Sequence, residues 1–295
     1  MINIKNKNFI VGVALVLSSE LTFALVGALI KQLSNDVSAV QIIFFRNLFA
    51  LIPLLPWLTN NRSTLFKTPH LKFHFLRSFT GLSAMFIYTY VLSQSTLVNG
   101  AMTLMLAPFF IPIIAYFWLK QVQSRITISS IIIGFIGVML CLTTKTKIDA
   151  PSLQLGLGTL IVFGAILIAI SKTTISRMVN TEPSKAIVAY FSIIGIGICG
   201  VMLPFAWKPI SWSILLLLVT LGIMSSIGQL MMTKAFSKAG ASTIGMFSYS
   251  SILFAAMLGA LWWQEYPEFM WFVGASIIIT AGYISIKYNR KNSSC

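Results

Sequence analysis

Acidic side chains are scarce in this chain: Asp and Glu together number 6 in 295 residues, against 21 Lys and Arg. Histidine occurs 2 times and cysteine 3 times. These shortages exclude much chemistry. His70 and His74 are spaced as on one helical face, but no acid or cysteine lies near them to complete a zinc set. Asp36 and Asp149 fall between apolar runs, so no aspartate pair lies where an intramembrane aspartyl protease needs one. A serine nucleophile needs an adjacent base, yet both histidines fall in one basic connection. No Walker-type glycine loop occurs. Cys141, Cys199 and Cys295 are too scattered for a disulfide framework. The residues offer no catalytic group, no metal site and no cofactor, and the chain is not expected to be an enzyme.

What is abundant is apolar length. The chain is 57% hydrophobic and 9% charged, with mean hydropathy +0.88, which excludes a water-soluble globule. A bilayer core of about 30 Å takes roughly 20 apolar helical residues to cross. Stretches of about that length run near Phe9–Ile30, Ser38–Leu58, Phe73–Leu92, Leu97–Leu119 and Ile126–Thr143. Five more follow near Leu153–Ser171, Ser184–Phe205, Trp212–Thr233, Ala241–Trp263 and Phe269–Lys287. The expectation is an all-α membrane protein of ten transmembrane helices. Lys5 and Lys7 precede an apolar run too long for a signal peptide, so that run is read as the first span.

The formal charge of +15 would suggest nucleic acid as partner in a soluble protein. Here its placement sets orientation instead. Connections on one side hold nearly all the Lys and Arg, whereas the other side holds Lys31, Lys145, Lys147 and Lys208. The positive-inside rule then predicts a bacterial-type inner-membrane protein with both termini cytoplasmic, in contact with lipid and not with nucleic acid. Trp57, Trp118, Trp207, Trp212, Trp262 and Trp263 fall at span ends, where interfacial anchors belong.

The ten stretches divide into two similar sets. Tyr90–Leu142 and Lys234–Ile286, 144 positions apart, share a Ser-containing turn, a long span ending in aromatics (Phe117–Trp118; Trp262–Trp263), a polar link and a closing span. Repeats are expected over residues 1–147 and 148–295. Five spans is an odd number, so the second set is inverted. Charge agrees: the link with Lys120 and Arg125 is basic, and its counterpart holds Glu265 and Glu268.

The segments VSAVQIIFFRN (Val37–Asn47), LRSFTGLSAM (Leu76–Met85) and LAPFFIPIIAYFWLKQ (Leu106–Gln121) resemble EamA-type carriers of the drug/metabolite transporter superfamily. The resemblance covers the whole chain. It implies two EamA-like repeats and transport of small metabolites, which in different members include amino acids, nucleotide-sugars and S-adenosylmethionine. Many members have a Glu after the fourth span of each half. This chain keeps Glu265 in the second half and has Gln121 in the first.

Glu20, Arg46 and Arg77 are the ionisable residues well inside spans. Each costs about 2.5–3.5 kcal/mol at a helix centre, so each needs a partner or water. Helical spacing puts Arg46, Ala50, Pro53 and Trp57 on one face, and Arg77, Gly81, Ala84 and Tyr88 on another. The same spacing returns Lys31 to the face of Glu20. These groups suit a cavity in which arginine takes carboxylate or phosphate and Glu20 takes an amine or a proton. Lys172, at the end of the sixth span, is a gate candidate; Tyr88 and Tyr249 are cavity candidates. The opposing reading is structural: Arg46 and Arg77 snorkel to the interfaces, Glu20 neutralises a neighbour, and the tyrosines join helices. Small residues such as Gly195, Gly197 and Gly200 suit close packing within one bundle, as monomer or homodimer.

The function expected is secondary active transport of a small polar or zwitterionic metabolite, amino acid or S-adenosylmethionine-like, by alternating access. Protons are the candidate coupling ion. The alternative is a non-carrier: a channel, a lipid-handling protein or an interaction protein with structural intramembrane charges.

Overall fold

Apolar runs bounded by serine, proline and basic residues become helices. The computed structural model describes residues 4–60, 68, 70–94, 97, 100, 104, 106–120, 125–142, 151–238, 247–266 and 269–292, and no strand occurs among them. Helix α1 (Ile4–Leu33) leads to α2 (Ala39–Phe49), a 3-10 turn (Ile52–Leu54) and α3 (Leu55–Asn60). Helices α4 (Leu71–Gln94), α5 (Ala107–Leu119) and α6 (Arg125–Leu142) follow. Then come α7 (Pro151–Met178), α8 (Ser184–Met202), a second 3-10 turn (Leu203–Phe205) and α9 (Trp212–Phe236). Helices α10 (Ser250–Trp263) and α11 (Phe269–Asn292) end the order.

Among the described residues, 6 helical stretches are long and apolar enough to cross a membrane: Asn8–Leu33, Ala39–Asn60, Leu71–Gln94, Gly156–Met178, Ser184–Phe205 and Trp212–Phe236. Shorter apolar helices cover Ala107–Trp118, Ile128–Gly137, Ser250–Trp263 and Phe269–Ala281. The chain is an all-helical, multi-pass membrane protein. The expected repeat boundary at 147/148 and the residues Gln121, Asp149, Glu268 and Cys295 lie outside the described residues. So do Lys145 and Lys147, most of the expected start of the fourth span and residues 239–246 of the ninth.

The helix ends are set by local chemistry. Ser38 caps α2: its Oγ accepts from the Gln41 amide at 3.2 Å while Gln41 Oε1 accepts from the Ser38 amide at 3.1 Å. The Gln41 side chain also exchanges hydrogen bonds of 2.8 and 3.1 Å with the Lys208 backbone, joining the start of α2 to the turn before α9. Thr68 donates to Glu182, which joins the stretch before α4 to the start of α8. Two helices stop on left-handed residues: Lys120 (φ 52°) after α5 and Gln264 (φ 56°) after α10. Their amides donate to the carbonyls of Ala115 and Gly259. Both pairs are 144 positions apart, the shift read from sequence. Pro53 and Pro204 start the two 3-10 turns that end the first helical parts of the second and seventh stretches.

Helix α1 packs on α9 and α10, and α7 packs on α4 and α5. Helix α2 packs on α8 and α9, α8 packs on α4, and α6 pairs with α11. At Gly222 of α9 an added Cβ would lie 2.4 Å from Phe49 Cβ and 3.0 Å from the Arg46 carbonyl, so a side chain is excluded where α2 crosses. Large apolar residues such as Phe117, Phe205 and Trp212 point outward, as lipid-facing surface requires.

Three expectations change with the helix boundaries. Helix α7 runs through the polar stretch Ser171–Ser176 to Met178, so Lys172 lies within the helix and not at its end. Those polar side chains are buried against other helices, where a hydropathy reading expects an interface. The stripe from Arg46 breaks after Phe49, because the 3-10 turn at Pro53 changes the residue spacing. His74 belongs to α4 and not to a connection: it is fully buried and stacks on Tyr190 with ring centroids 4.1 Å apart.

Candidate functional site

The six long stretches line one cavity of about 130 Å3, its wall largely apolar with a few charged side chains set into it. Helix α1 contributes Glu20, Phe23, Val26 and Ile30; α2 contributes Arg46. Helix α4 contributes Arg77, Gly81, Ala84 and Tyr88, the full stripe read from sequence, together with Met85. Helix α7 brings Ile168, Ser171, Lys172 and Ile175, α8 brings Phe191, and α9 brings Gln229 and Met232. The sequence candidates Glu20, Arg46, Arg77, Tyr88 and Lys172 therefore meet in one place.

Tyr249 does not line this cavity. It is buried in a separate apolar cluster with Ile252 and Trp271, and its ring centroid is 6.3 Å from that of Phe109. Gly134 lies against its ring, where an added Cβ would make ordinary contact at 3.4 Å.

Glu20 is 1% exposed, and Lys172 Nζ lies 3.4 Å from its Oε1. The same ammonium donates to Ser248 Oγ at 2.8 Å. This pairs the one deep carboxylate with a cation from the opposite part of the chain. Lys31 does not serve Glu20: its Nζ is 2.5 Å from Glu265 Oε1 and 4.8 Å from the centroid of the Trp263 ring. Glu265 Oε2 also accepts from the Leu97 amide at 3.2 Å.

The arginines have neutral partners. Arg46 donates from Nε to Ser225 Oγ at 2.8 Å and from Nη1 to Met85 Sδ at 2.6 Å. Arg77 donates from Nη2 to Gln229 Oε1 at 2.8 Å, and its guanidinium lies over the Phe191 ring at 4.1 Å. Its Nε and Nη1 have no hydrogen-bond partner among the described residues, although the residue is 1% exposed. Neither arginine snorkels. Gly81 permits this packing: a Cβ there would meet Phe191 at 2.9 Å and Ser171 Oγ at 3.1 Å.

Sequence reasoning missed Gln229 and Phe191, which line the cavity, and Ser225 and Ser248, which hold Arg46 and Lys172. Gln229 carried a usable signal, as an amide well inside a long apolar span. Ser225 and Ser248 carried none, because serine is common in this chain's spans. A second cleft, between α5 and α6, is lined by residues such as Phe109, Pro112 and Ile131 and holds no charged group.

Comparison with known proteins identifies the family. The EamA-like transporter family matches the chain twice, over residues 10–143 and 157–286. The S-adenosylmethionine uptake transporter of Rickettsia prowazekii is 26% identical over 294 residues, covering 98% of this chain and 96% of its own. The pseudopaline exporter CntI of Pseudomonas aeruginosa is 23% identical over 277 residues, covering 92% and 94%. The riboflavin transporter of Vibrio cholerae is 22% identical over 288 residues, covering 96% and 95%. A solved crystal structure shares the fold with a TM-score of 0.74 at 15% identity, over 97% of this chain and 98% of that one. With two family matches that together span nearly its whole length, the chain belongs to the EamA-like transporter family.

Proposed function

We propose that this protein is a secondary carrier that binds a small polar metabolite among Glu20, Arg46, Arg77, Tyr88 and Lys172 and exposes it to each side of the inner membrane in turn. The observation that carries the reading is a cavity at which ionisable side chains from both parts of the chain converge. Intramembrane charge is costly and is retained where it serves a substrate or ion path.

The alternating mechanism rests on two inverted five-helix halves. Three features support them. The family matches twice. The helix pairing repeats: α1 meets α9 and α10 as α7 meets α4 and α5. The left-handed stops at Lys120 and Gln264 recur at the sequence shift. Halves of odd span number lie inverted in a membrane, and such halves rock about a site at their interface. A cavity of about 130 Å3 is small beside the ~300–1,000 Å3 of ordinary ligand sites, and parting of the halves would enlarge it for cargo.

The relatives are named for uptake, export and three different solutes. The cavity of this chain therefore has to select its own cargo. An anionic or zwitterionic solute fits: arginine takes a carboxylate, and an ammonium, where the solute has one, competes with Lys172 for Glu20. Protons are the proposed coupling ion, with Glu20 as acceptor once Lys172 moves off.

Purified protein in proteoliposomes, loaded with a mixture of amino acids, dicarboxylates, S-adenosylmethionine, nucleotides and riboflavin, tests the reading by mass spectrometry of what leaves. Saturable efflux accelerated by the same solute outside is the expected result. Unsaturable flux without exchange would indicate a channel, and no flux of any solute would remove the carrier assignment.

A further inference from the structure

Charge in the cavity does not balance. Glu20 and Lys172 neutralise one another at 3.4 Å. That leaves Arg46 and Arg77, 6% and 1% exposed, facing one small cavity with only neutral partners. Arginine keeps its proton near neutral pH, so both carry charge there. The other described acids are elsewhere: Glu265 holds Lys31, Glu182 accepts from Thr68, and Asp36 is exposed between α1 and α2. A buried cation without a counterion is strongly unfavourable, and two facing one cavity more so. Arg77 keeps two N–H-bearing nitrogens, Nε and Nη1, without a partner.

We propose that the cargo carries two separate anionic groups, carboxylate or phosphate, one received by Arg46 and the other by Arg77. This rests on the carrier reading and narrows it to a class, excluding cations and singly charged zwitterions as the best substrates. Spacing narrows it further. Arg46 is held by Ser225 and Arg77 by Gln229, which lie one turn apart on α9. Side chains four apart on a helix are about 5–6 Å apart at Cβ, so anionic groups separated by a short chain span the two sites. Each guanidinium then forms the forked, charge-assisted pair that its fixed geometry favours, and the net charge of the cavity falls to zero. The Phe191 ring, already against Arg77, offers an apolar wall to the linking carbons.

Titration calorimetry and thermal unfolding of the full chain in detergent test this with succinate, glutarate, adipate and L-glutamate, the half-amide of glutarate, butyrate, sulfate and S-adenosylmethionine. At least one dicarboxylate should raise the unfolding temperature and bind at least about tenfold more tightly than the half-amide. In Arg46→Gln and in Arg77→Gln that preference should collapse to within about threefold, because the second carboxylate then lacks its partner. The wild-type series needs no variant, so the proposal stands or falls even where an arginine replacement fails to fold. Equal binding of diacid and half-amide, preference for S-adenosylmethionine, sulfate binding as well as any diacid, or no response to any diacid would overturn it. Exchange of some other solute in proteoliposomes would then keep the carrier reading while this one fails; absence of all exchange would remove both.

Discussion

Lys31 and Glu265 are separated by 234 positions in sequence and by 2.5 Å in space. The pair joins the end of α1 to the turn after α10, with the Trp263 ring beneath the ammonium. It lies at one end of the bundle, beyond the cavity residue Ile30. At the other end of the bundle, Arg177 lies over the Phe73 ring at 4.5 Å, with Trp118 next to Phe73. One end is thus tied by an ion pair and the other by a cation over an aromatic ring.

If the Lys31–Glu265 pair holds its end of the bundle closed, as alternating access proposes, Glu265→Gln should loosen that end. A partly buried charged hydrogen bond contributes about 1.5–3 kcal/mol, so the population open at that end should rise roughly tenfold or more. Maleimide labelling of Val26→Cys, in a background without the native cysteines, reads this from the Lys31 side. An unchanged labelling rate would mean that the pair does not hold that end shut.

Removing one partner of the Glu20–Lys172 pair leaves a buried charge alone. Glu20→Gln should destabilise the protein by about 3–5 kcal/mol, and the double variant Glu20→Gln/Lys172→Met should recover most of that. Transport should stay lost in both. If the double variant regains transport along with stability, the pair is structural, and Glu20 does not meet the cargo.

Gly222→Ala should destabilise by about 1–3 kcal/mol through overpacking, because the new methyl meets Phe49 and the Arg46 backbone where α2 crosses α9. Gly197→Ala, with no atom within 4 Å of the new group, serves as the control and should be near neutral. Thermal unfolding in detergent separates the two.

Lys120→Gly and Gln264→Gly remove a left-handed side-chain penalty at matching places in the chain. Each should stabilise by up to about 1 kcal/mol, the relief of strain exceeding the added freedom of the unfolded chain. A gain at one position and a loss at the other would argue against structural equivalence of the two halves.

The legible part of the site was the part carried by one regular helix. Arg77, Gly81, Ala84 and Tyr88 follow from helical spacing alone, because α4 runs unbroken from Leu71 to Gln94. The stripe from Arg46 failed where Pro53 changed the geometry. Lys172 was placed at a helix end because Ser171–Ser176 is polar; burial among other helices lets such a run continue inside a span. The partners of Lys31 and Glu20 depend on which helices touch, and nothing local in a sequence encodes a contact across 234 or 152 positions. Tyr249 shows the converse: a hydroxyl within an apolar span marked burial, but it lies in an apolar cluster and not in the cavity.

Binding of cargo in the cavity between Glu20, Arg46, Arg77 and Lys172 is the proposal on which carrier function depends. Its most direct test is solute exchange by wild type, Glu20→Gln and Arg77→Gln in proteoliposomes, with folding of each checked by size exclusion and thermal unfolding. Saturable exchange by the wild type and at least a tenfold loss in each folded variant are expected, as removal of a charged substrate contact implies. Wild-type rates and affinities in both folded variants would contradict it.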